Sequence, residues 1–365
     1  MTTVAGTPPV ASVLIVGTGL MGTSLGLALR ARGVETYLSD RDPTVARAAA
    51  ELGAGLDRLP PAPVTLAVIA VPPTAVAGVL ADLQGKDLAA GYTDLASTKA
   101  YIQGEVERLA VDPAAFVGGH PVAGRERSGP GSARGDLFEG RPWVLTPTAR
   151  TAPDALASAR TVAELTGATP HVMSPAEHDH AMAVVSHAPH VVAALVAGRL
   201  ADAEPAALGL AGPGVRDVTR VAAGDPALWR EILATNSAAV AAILDAVGAD
   251  LATVTAELRH QPDPAAALPA TVDALARGNR GVERIPGKHG TAPARYQSVP
   301  VVLDDRPGQL AALFAAAGAA GINIEDVRIE HSPGQPVGLV ELDVRPDLAD
   351  DLAGVLRERG WIVQR

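Results

Sequence analysis

The residues with the most chemical content form two groups. His120 sits in the run Gly118-Gly119-His120-Pro121-Val122-Ala123-Gly124-Arg125-Glu126-Arg127-Ser128-Gly129, directly after the strand-like Ala115-Phe116-Val117. Ligands of open α/β sheets bind outside the carboxyl ends of the strands, so an imidazole at such an end faces a ligand and can exchange a proton with it. The alternative is a loop histidine fixed by Pro121 and satisfied by backbone groups. About a hundred residues upstream, Gly17-Thr18-Gly19-Leu20-Met21-Gly22 follows the β-branched run Ser12–Val16 and opens an apolar-periodic stretch, the context a dinucleotide fingerprint requires. Gly17 permits the tight turn, Gly19 lets amides approach a pyrophosphate, and Gly22 lets helix and strand pack, with Leu20 and Met21 at the helix N-terminus. Asp40, about 20 residues on, can accept from ribose hydroxyls and repel a 2′-phosphate. NAD is therefore favoured over NADP, although Arg41 is a guanidinium that could pair with that phosphate. Val71 and Pro72 end the third strand and line the other side of the cofactor.

Further groups could act on a substrate. Ser97, in Asp94-Leu95-Ala96-Ser97-Thr98-Lys99, stands where a helix N-cap would bond the first free amides, and its hydroxyl could also meet a ligand. His178, His180, His187 and His190 lie close together, and the regular helical period puts 180, 187 and 190 on roughly one face. Pro189 among them should bend or restart the helix. The His-x-x-His spacing also suits zinc, but the chemistry expected below needs no metal. Arg216 and Arg220 are one helical turn apart and could hold an anion through bidentate contacts; a surface salt-bridge stripe is the alternative.

These groups need a scaffold, and the pattern supplies three. Strand and helix signals alternate up to His171, which implies a parallel sheet covered on both faces, over residues 1–173. Residues 174–280 then read as helical, 281–295 as a Gly/Arg/Pro-rich linker without periodicity, and 296–365 as βαββαβ, a pattern open to a ferredoxin-like module. The formal charge of −10 argues against a nucleic-acid binder. The absence of cysteine excludes disulfides and thiolate chemistry. Met1–Val10 lacks the basic and apolar regions of a secretion signal, and no apolar stretch approaches the ~20 residues of a membrane span. A cytoplasmic, membrane-free protein is expected.

The tail wording Asp305-Arg306-Pro307-Gly308-Gln309-Leu310-Ala311, followed by Gly321-Ile322-Asn323-Ile324-Glu325, resembles the ACT domain, a small-molecule sensor. The whole chain resembles the prephenate dehydrogenase family, which includes arogenate dehydrogenases. The resemblance rests on Gly17–Gly22, Asp94–Lys99, the His120 run, Ser186-His187-Ala188-Pro189-His190, Arg216–Arg220 and Asp225-Pro226-Ala227-Leu228-Trp229 in the family's order. It implies NAD-dependent oxidative decarboxylation of prephenate, with arogenate as the alternative substrate. By the same resemblance His120 is the catalytic histidine, Ser97 holds the ring hydroxyl and Arg220 a carboxylate. His187, His190 and Glu126 line the pocket, and Trp229 reaches a neighbouring subunit's site. Arg125 departs from the small residue of several relatives; its charge would disfavour an ammonium and so favours prephenate. A homodimer and an aromatic amino-acid effector at the ACT-like unit follow as expectations. The rival readings are another Rossmann-plus-helical oxidoreductase, such as a hydroxyacid dehydrogenase or imine reductase, and an amino-acid sensor with an inactive dehydrogenase body.

Overall fold

The computed structural model describes residues 10–109, 111–123, 129–260, 267–286, 296–331 and 337–364. The expected linker mostly lies outside them, as do Arg125 and Glu126. Two compact units emerge, one comprising the chain up to Ala201 with Val218–Val247, the other Asp202–Asp217 with the chain from Gly248.

In the first unit, β1 (Ser12–Val16), α1 (Leu20–Ala31), β2 (Glu35–Ser39), α2 (Pro43–Glu51), β3 (Val64–Ile69), α3 (Pro73–Gly85), β4 (Ala89–Asp94), α4 (Ala100–Arg108) and β5 (Phe116–Pro121) alternate as the periodicity predicts. They continue into β6 (Pro142–Thr146), α5 (Pro153–Leu165) and β7 (Thr169–Val172). The sheet order is β2-β1-β3-β4-β5-β6-β7. The order reverses between β1 and β3, which opens a crevice at their carboxyl ends. The expectation of a wholly parallel sheet needs one correction: β6 runs antiparallel to β5, pairing Val144 with His120 and Leu145 with Gly119, while β7 is parallel to β6. Parallel strands need a long, usually helical crossover, which α5 supplies between β6 and β7.

Strand alternation divides the core between the two faces of the sheet. Val13, Ile15, Leu66, Val68 and Leu145 pack with Leu25 and Leu29 of α1 and Val162 of α5. Leu14, Ala67, Ile69 and Phe116 pack with Val76 and Leu80 of α3 and Ile102 and Val106 of α4. Burying a Leu or Ile side chain of this kind stabilises by roughly 1.5–3 kcal/mol, so the sheet is a rigid base for groups at its edge.

The helical segment begins with α6 (Pro175–Met182), passes through a π-helical turn at Ala183–His187 and resumes as α7 (Ala188–Gly198). Pro189 lacks an N–H and its ring crowds the carbonyl four residues back, which accounts for the altered turn just before it and for the restart. Then follow α8 (Pro205–Leu208), α9 (Pro213–Arg220), α10 (Pro226–Thr235), α11 (Ser237–Arg259) and α12 (Pro269–Val282). The helical stretches Pro175–Gly198 and Ser237–Arg259 are long and apolar enough by length and composition to cross a membrane, which corrects the expectation that no stretch comes near that length. Their chemistry is that of domain helices. The first carries a buried polar network described below. The second pairs Asp250 with Arg277 and uses Glu257 to accept from the amides of Ala270 and Thr271 at the start of α12.

In the second unit, β8 (Gln297–Asp304), α13 (Gln309–Ala319), β9 (Asp326–His331), β10 (Val337–Val344), α14 (Ala349–Glu358) and β11 (Ile362–Val363) realise the βαββαβ expectation. The strand order β11-β8-β10-β9 is antiparallel throughout, and Val301, Leu303, Val340 and Leu342 bury one sheet face against Leu313 of α13 and Leu352 and Leu356 of α14.

Candidate active site

The glycine turn leads from β1 into α1. Gly17 has φ +96°, and a Cβ there would run into the carbonyl of Ala70, with Val71 alongside, so only glycine fits. A Cβ on Gly22 would collide with the Gly17 carbonyl. Gly19 differs: nothing lies within 4 Å of where its Cβ would be, and as N-cap of α1 it offers no side chain to the first amides. Open space beside uncapped amides at the crevice suits a pyrophosphate, whose charge the helix N-terminus stabilises. Leu20 is buried in the core and the partly buried Met21 packs against it, which leaves their backbone amides as the polar groups these two residues offer a nucleotide. The Asp40 carboxylate accepts from the Thr18 amide at 2.7 Å and from its hydroxyl at 3.1 Å, which fixes it beside the glycine turn. Val71 is partly buried and Pro72 exposed at the start of α3. These residues fit a dinucleotide.

At the ends of β4 and β5 a buried polar cluster forms. Asp94 accepts from the Gly119 amide at 3.0 Å and the Ala96 amide at 3.0 Å, and is ion-paired with Lys99. Lys99 Nζ also donates to the Gly119 carbonyl at 2.7 Å, and both side chains are essentially inaccessible. Burial pulls the Lys99 ammonium below its ordinary range, opposed by the adjacent Asp94 carboxylate. A Cβ on Gly119 would lie 2.5 Å from the Asp94 carbonyl oxygen, so β5 can approach β4 this closely only with glycine there. Sequence reading treated Asp94 and Lys99 as flanks of a helix start and missed this pair.

Ser97 does not cap α4. The N-cap is Lys99, and its amide and that of Ala100 are bonded instead by the Asp179 carboxylate of α6, at 2.8 and 2.9 Å. The half-buried Ser97 hydroxyl is left with no hydrogen-bond partner among the described residues. Next to Asp179, His178 is fully buried; its Nδ1 is 2.8 Å from Asp179 Oδ1 and its Nε2 2.8 Å from Nδ1 of the half-buried His120.

The histidine face differs from expectation. His180 is exposed, whereas His178, His187 and His190 are buried. Nine regular helical residues turn through about 900°, which would set His178 and His187 on opposite faces; the wider π turn takes up about one extra residue and swings His187 roughly 100° back. Asn236 follows α10 and donates through Nδ2 to the Asp179 carbonyl at 2.8 Å and to His187 Nδ1 at 3.1 Å. His187 therefore carries its proton on Nε2 and can act as a donor. Burial lowers the His187 pKa to about 4, and the His190 value also falls. Trp229 stacks on His190 of its own chain, ring centroids 3.5 Å apart. Arg216 and Arg220 lie on α9, exposed and without an ion pair among the described residues.

Burial, reinforced by His178, Lys99 and His187 nearby, holds the His120 pKa well below 6.5. A depressed value keeps the imidazole neutral, and able to accept a proton, as pH falls through the ordinary histidine range. The acid limb of kcat/KM should therefore lie well below pH 6.5. A pH–rate profile with its midpoint at or above 6.5 would show that another group governs it.

A glycine-lined crevice at a sheet switch point, with a neutral imidazole at a neighbouring strand end, defines a dinucleotide-dependent dehydrogenase. Residues 25–172 match the family described as prephenate dehydrogenase, nucleotide-binding domain, and residues 174–268 its dimerization domain. The chain belongs to the prephenate dehydrogenase family. It is 39% identical over 356 residues to the probable prephenate dehydrogenase NovF of Streptomyces niveus, covering 96% of this chain and 98% of that one. Among solved structures it resembles prephenate dehydrogenase from A. aeolicus in complex with hydroxyphenyl propionate and NAD+, with 28% identity, TM-score 0.63 and coverage of 77% and 100% of the two chains. The Synechocystis arogenate dehydrogenase is similar at 29% identity and TM-score 0.61, over 74% of this chain and 98% of that one.

Proposed function

We propose that the protein oxidises and decarboxylates prephenate with NAD, giving 4-hydroxyphenylpyruvate, carbon dioxide and NADH in tyrosine biosynthesis. The observation that carries the reading is His120, neutral at the end of β5 and flanked by buried polar groups. Gly17, Gly19, Gly22, the amides of Leu20 and Met21, Asp40, Val71 and Pro72 hold the dinucleotide, which when bound supplies the hydride acceptor. As the ring carbinol is oxidised its hydroxyl proton becomes acidic, and His120 accepts it. Ser97 holds that hydroxyl. The ring ketone stands opposite the carboxylate as a vinylogous β-keto acid. Breaking the bond to the carboxylate releases carbon dioxide, sends the electron pair into the ring and makes it aromatic, with a proton ending on the phenol oxygen.

Arg220 holds a substrate carboxylate, and His187, His190 and Trp229 line the pocket; by the family resemblance Arg125 adds positive charge and Glu126 belongs to that pocket, both lying outside the described residues. The added charge favours prephenate over arogenate, whose side chain carries an ammonium. A homodimer is supported by the dimerization-domain match and by exposed Leu195, Leu251 and Leu258 on α7 and α11. The βαββαβ module within 296–365, together with the resemblance of its Asp305–Ala311 wording to the ACT domain, supports an aromatic amino-acid effector there. The lack of cysteine suits a cytoplasmic enzyme. The test is NADH formation at 340 nm with prephenate and arogenate offered separately, with and without tyrosine. A rate with prephenate well above that with arogenate is expected; the reverse order would make this an arogenate dehydrogenase, and silence with both would favour a degenerate, sensing body.

A further inference from the structure

Holding the start of α4 accounts for the Asp179 carboxylate but not for His178, which stands between it and His120. Asp179 and His178 are both buried, and together they connect a helix start on one side to His120 on the other. A core histidine satisfied for its own sake needs no such chain. The donors and acceptors can be assigned in order from the fixed end. Asp179 Oδ1 already accepts from the Lys99 amide at 2.8 Å, and Oδ2 from the Ala100 amide at 2.9 Å, so the carboxylate is anchored as an acceptor on the α4 N-terminus. His178 must then donate to it from Nδ1, at 2.8 Å. In neutral His178 this leaves the lone pair on Nε2, to which His120 must donate from Nδ1, again at 2.8 Å. The remaining lone pair of His120 is on Nε2.

We propose that Asp179 and His178 are positioning residues that fix the tautomer and ring orientation of His120, so that Nε2 is the atom presented to the substrate hydroxyl. The inference rests on the reading of His120 as the base. The logic is that of a base oriented by a third group, extended by one imidazole. When Nε2 takes the substrate proton, His120 becomes an imidazolium whose Nδ1–H still donates to His178, and the Asp179 carboxylate at the far end of the chain stabilises the new charge. No proton leaves the chain. The other titratable groups facing His120 are Lys99 with its partner Asp94, from the β4–α4 connection, and His187, from the π turn. A doubly protonated His178 would reverse the polarity, donating from Nε2 and forcing the His120 proton onto its own Nε2, where it blocks the base.

The experiment uses the full-length enzyme and compares His178→Leu, His178→Gln, Asp179→Asn and His120→Asn. Readouts are kcat, KM, the pH profile, NAD affinity by fluorescence, and thermal melting. Glutamine can donate to Asp179 and accept from His120 without titrating, whereas leucine can do neither. His178→Leu should lower kcat on the order of 10²-fold with KM nearly unchanged, and His178→Gln should restore it to within about tenfold of wild type. Asp179→Asn should lower kcat and move the acid limb to lower pH, because the charge that stabilises the imidazolium is gone. A folded, NAD-binding leucine variant with wild-type kcat and pH profile overturns the relay. Equal losses in the leucine and glutamine variants do so too, since they would mark a packing role. If the leucine variant does not fold, nitrogen-15 NMR of ring-labelled wild-type protein at neutral pH still decides: Nε2 of His120 should be the unprotonated nitrogen, and finding Nδ1 unprotonated instead overturns the proposal. Normal turnover by His120→Asn would instead remove the base reading itself.

Discussion

Replacing His120 with asparagine is expected to lower kcat by at least about 10²-fold while KM stays within a few-fold of wild type. The magnitude is that of a positioned acid–base group, and the separation of kcat from KM follows because the proton moves only as the transition state forms. Asparagine suits the test because its amide can donate to His178 Nε2, 2.8 Å from the native Nδ1, while nothing replaces the native Nε2 lone pair. The cluster around Asp94, Lys99 and His178 should therefore persist, and NAD binding at the glycine turn should be unaffected. Steady-state kinetics with prephenate, with NAD affinity measured separately, check this. Turnover within about threefold of wild type would take His120 out of the chemistry, and a raised KM with normal kcat would make it a binding group.

The parts of the molecule that were legible in the sequence are those where one residue type answers one local demand. Gly17 could be assigned because only glycine tolerates φ +96° against the Ala70 carbonyl, and the β–turn–helix context named the purpose of that turn. The continuous apolar runs of β1 and β3, alternating with the helical period of α1, marked the layers, since strands buried on both faces need helices on each side of the sheet. The antiparallel β6 was missed, although a signal was present: among the described residues only the short helical turn Pro130–Ser132 stands between Pro121 and Pro142, too little for a helical parallel crossover between those strands. His178 was missed for a different reason. Projecting the histidines on a regular helix selects His180, and one π turn is enough to exchange it for His178. Pro189 marked the place where the regular period would fail, but the size of the register change depends on packing. The Asp94–Lys99 pair was hidden because its third member, the Gly119 backbone, comes from a different strand.

That pair carries the largest expected effect on stability. Lys99→Met should destabilise the first unit by about 3–5 kcal/mol, since it leaves the Asp94 carboxylate buried with no counter-charge. The carboxylate keeps the Gly119 and Ala96 amides at 3.0 Å, but two neutral donors do not offset the desolvation of a full charge in a site this dry. A melting point lowered on the order of 10 °C follows for a unit of this size. Adding Asp94→Asn to Lys99→Met removes the orphaned charge, so the double variant should be no less stable than the single one, with a coupling energy of at least about 1 kcal/mol. Strict additivity would mean that the two charges do not interact energetically, and an unchanged melting point would mean that the lysine contributes nothing to folding. Because Lys99 Nζ also holds the Gly119 carbonyl at 2.7 Å, one residue before His120, the single variant that remains folded at low temperature should lose kcat as well. Stability and turnover would then fall together from one substitution, because the ion pair that closes β4 onto β5 also aims the strand end that carries the base.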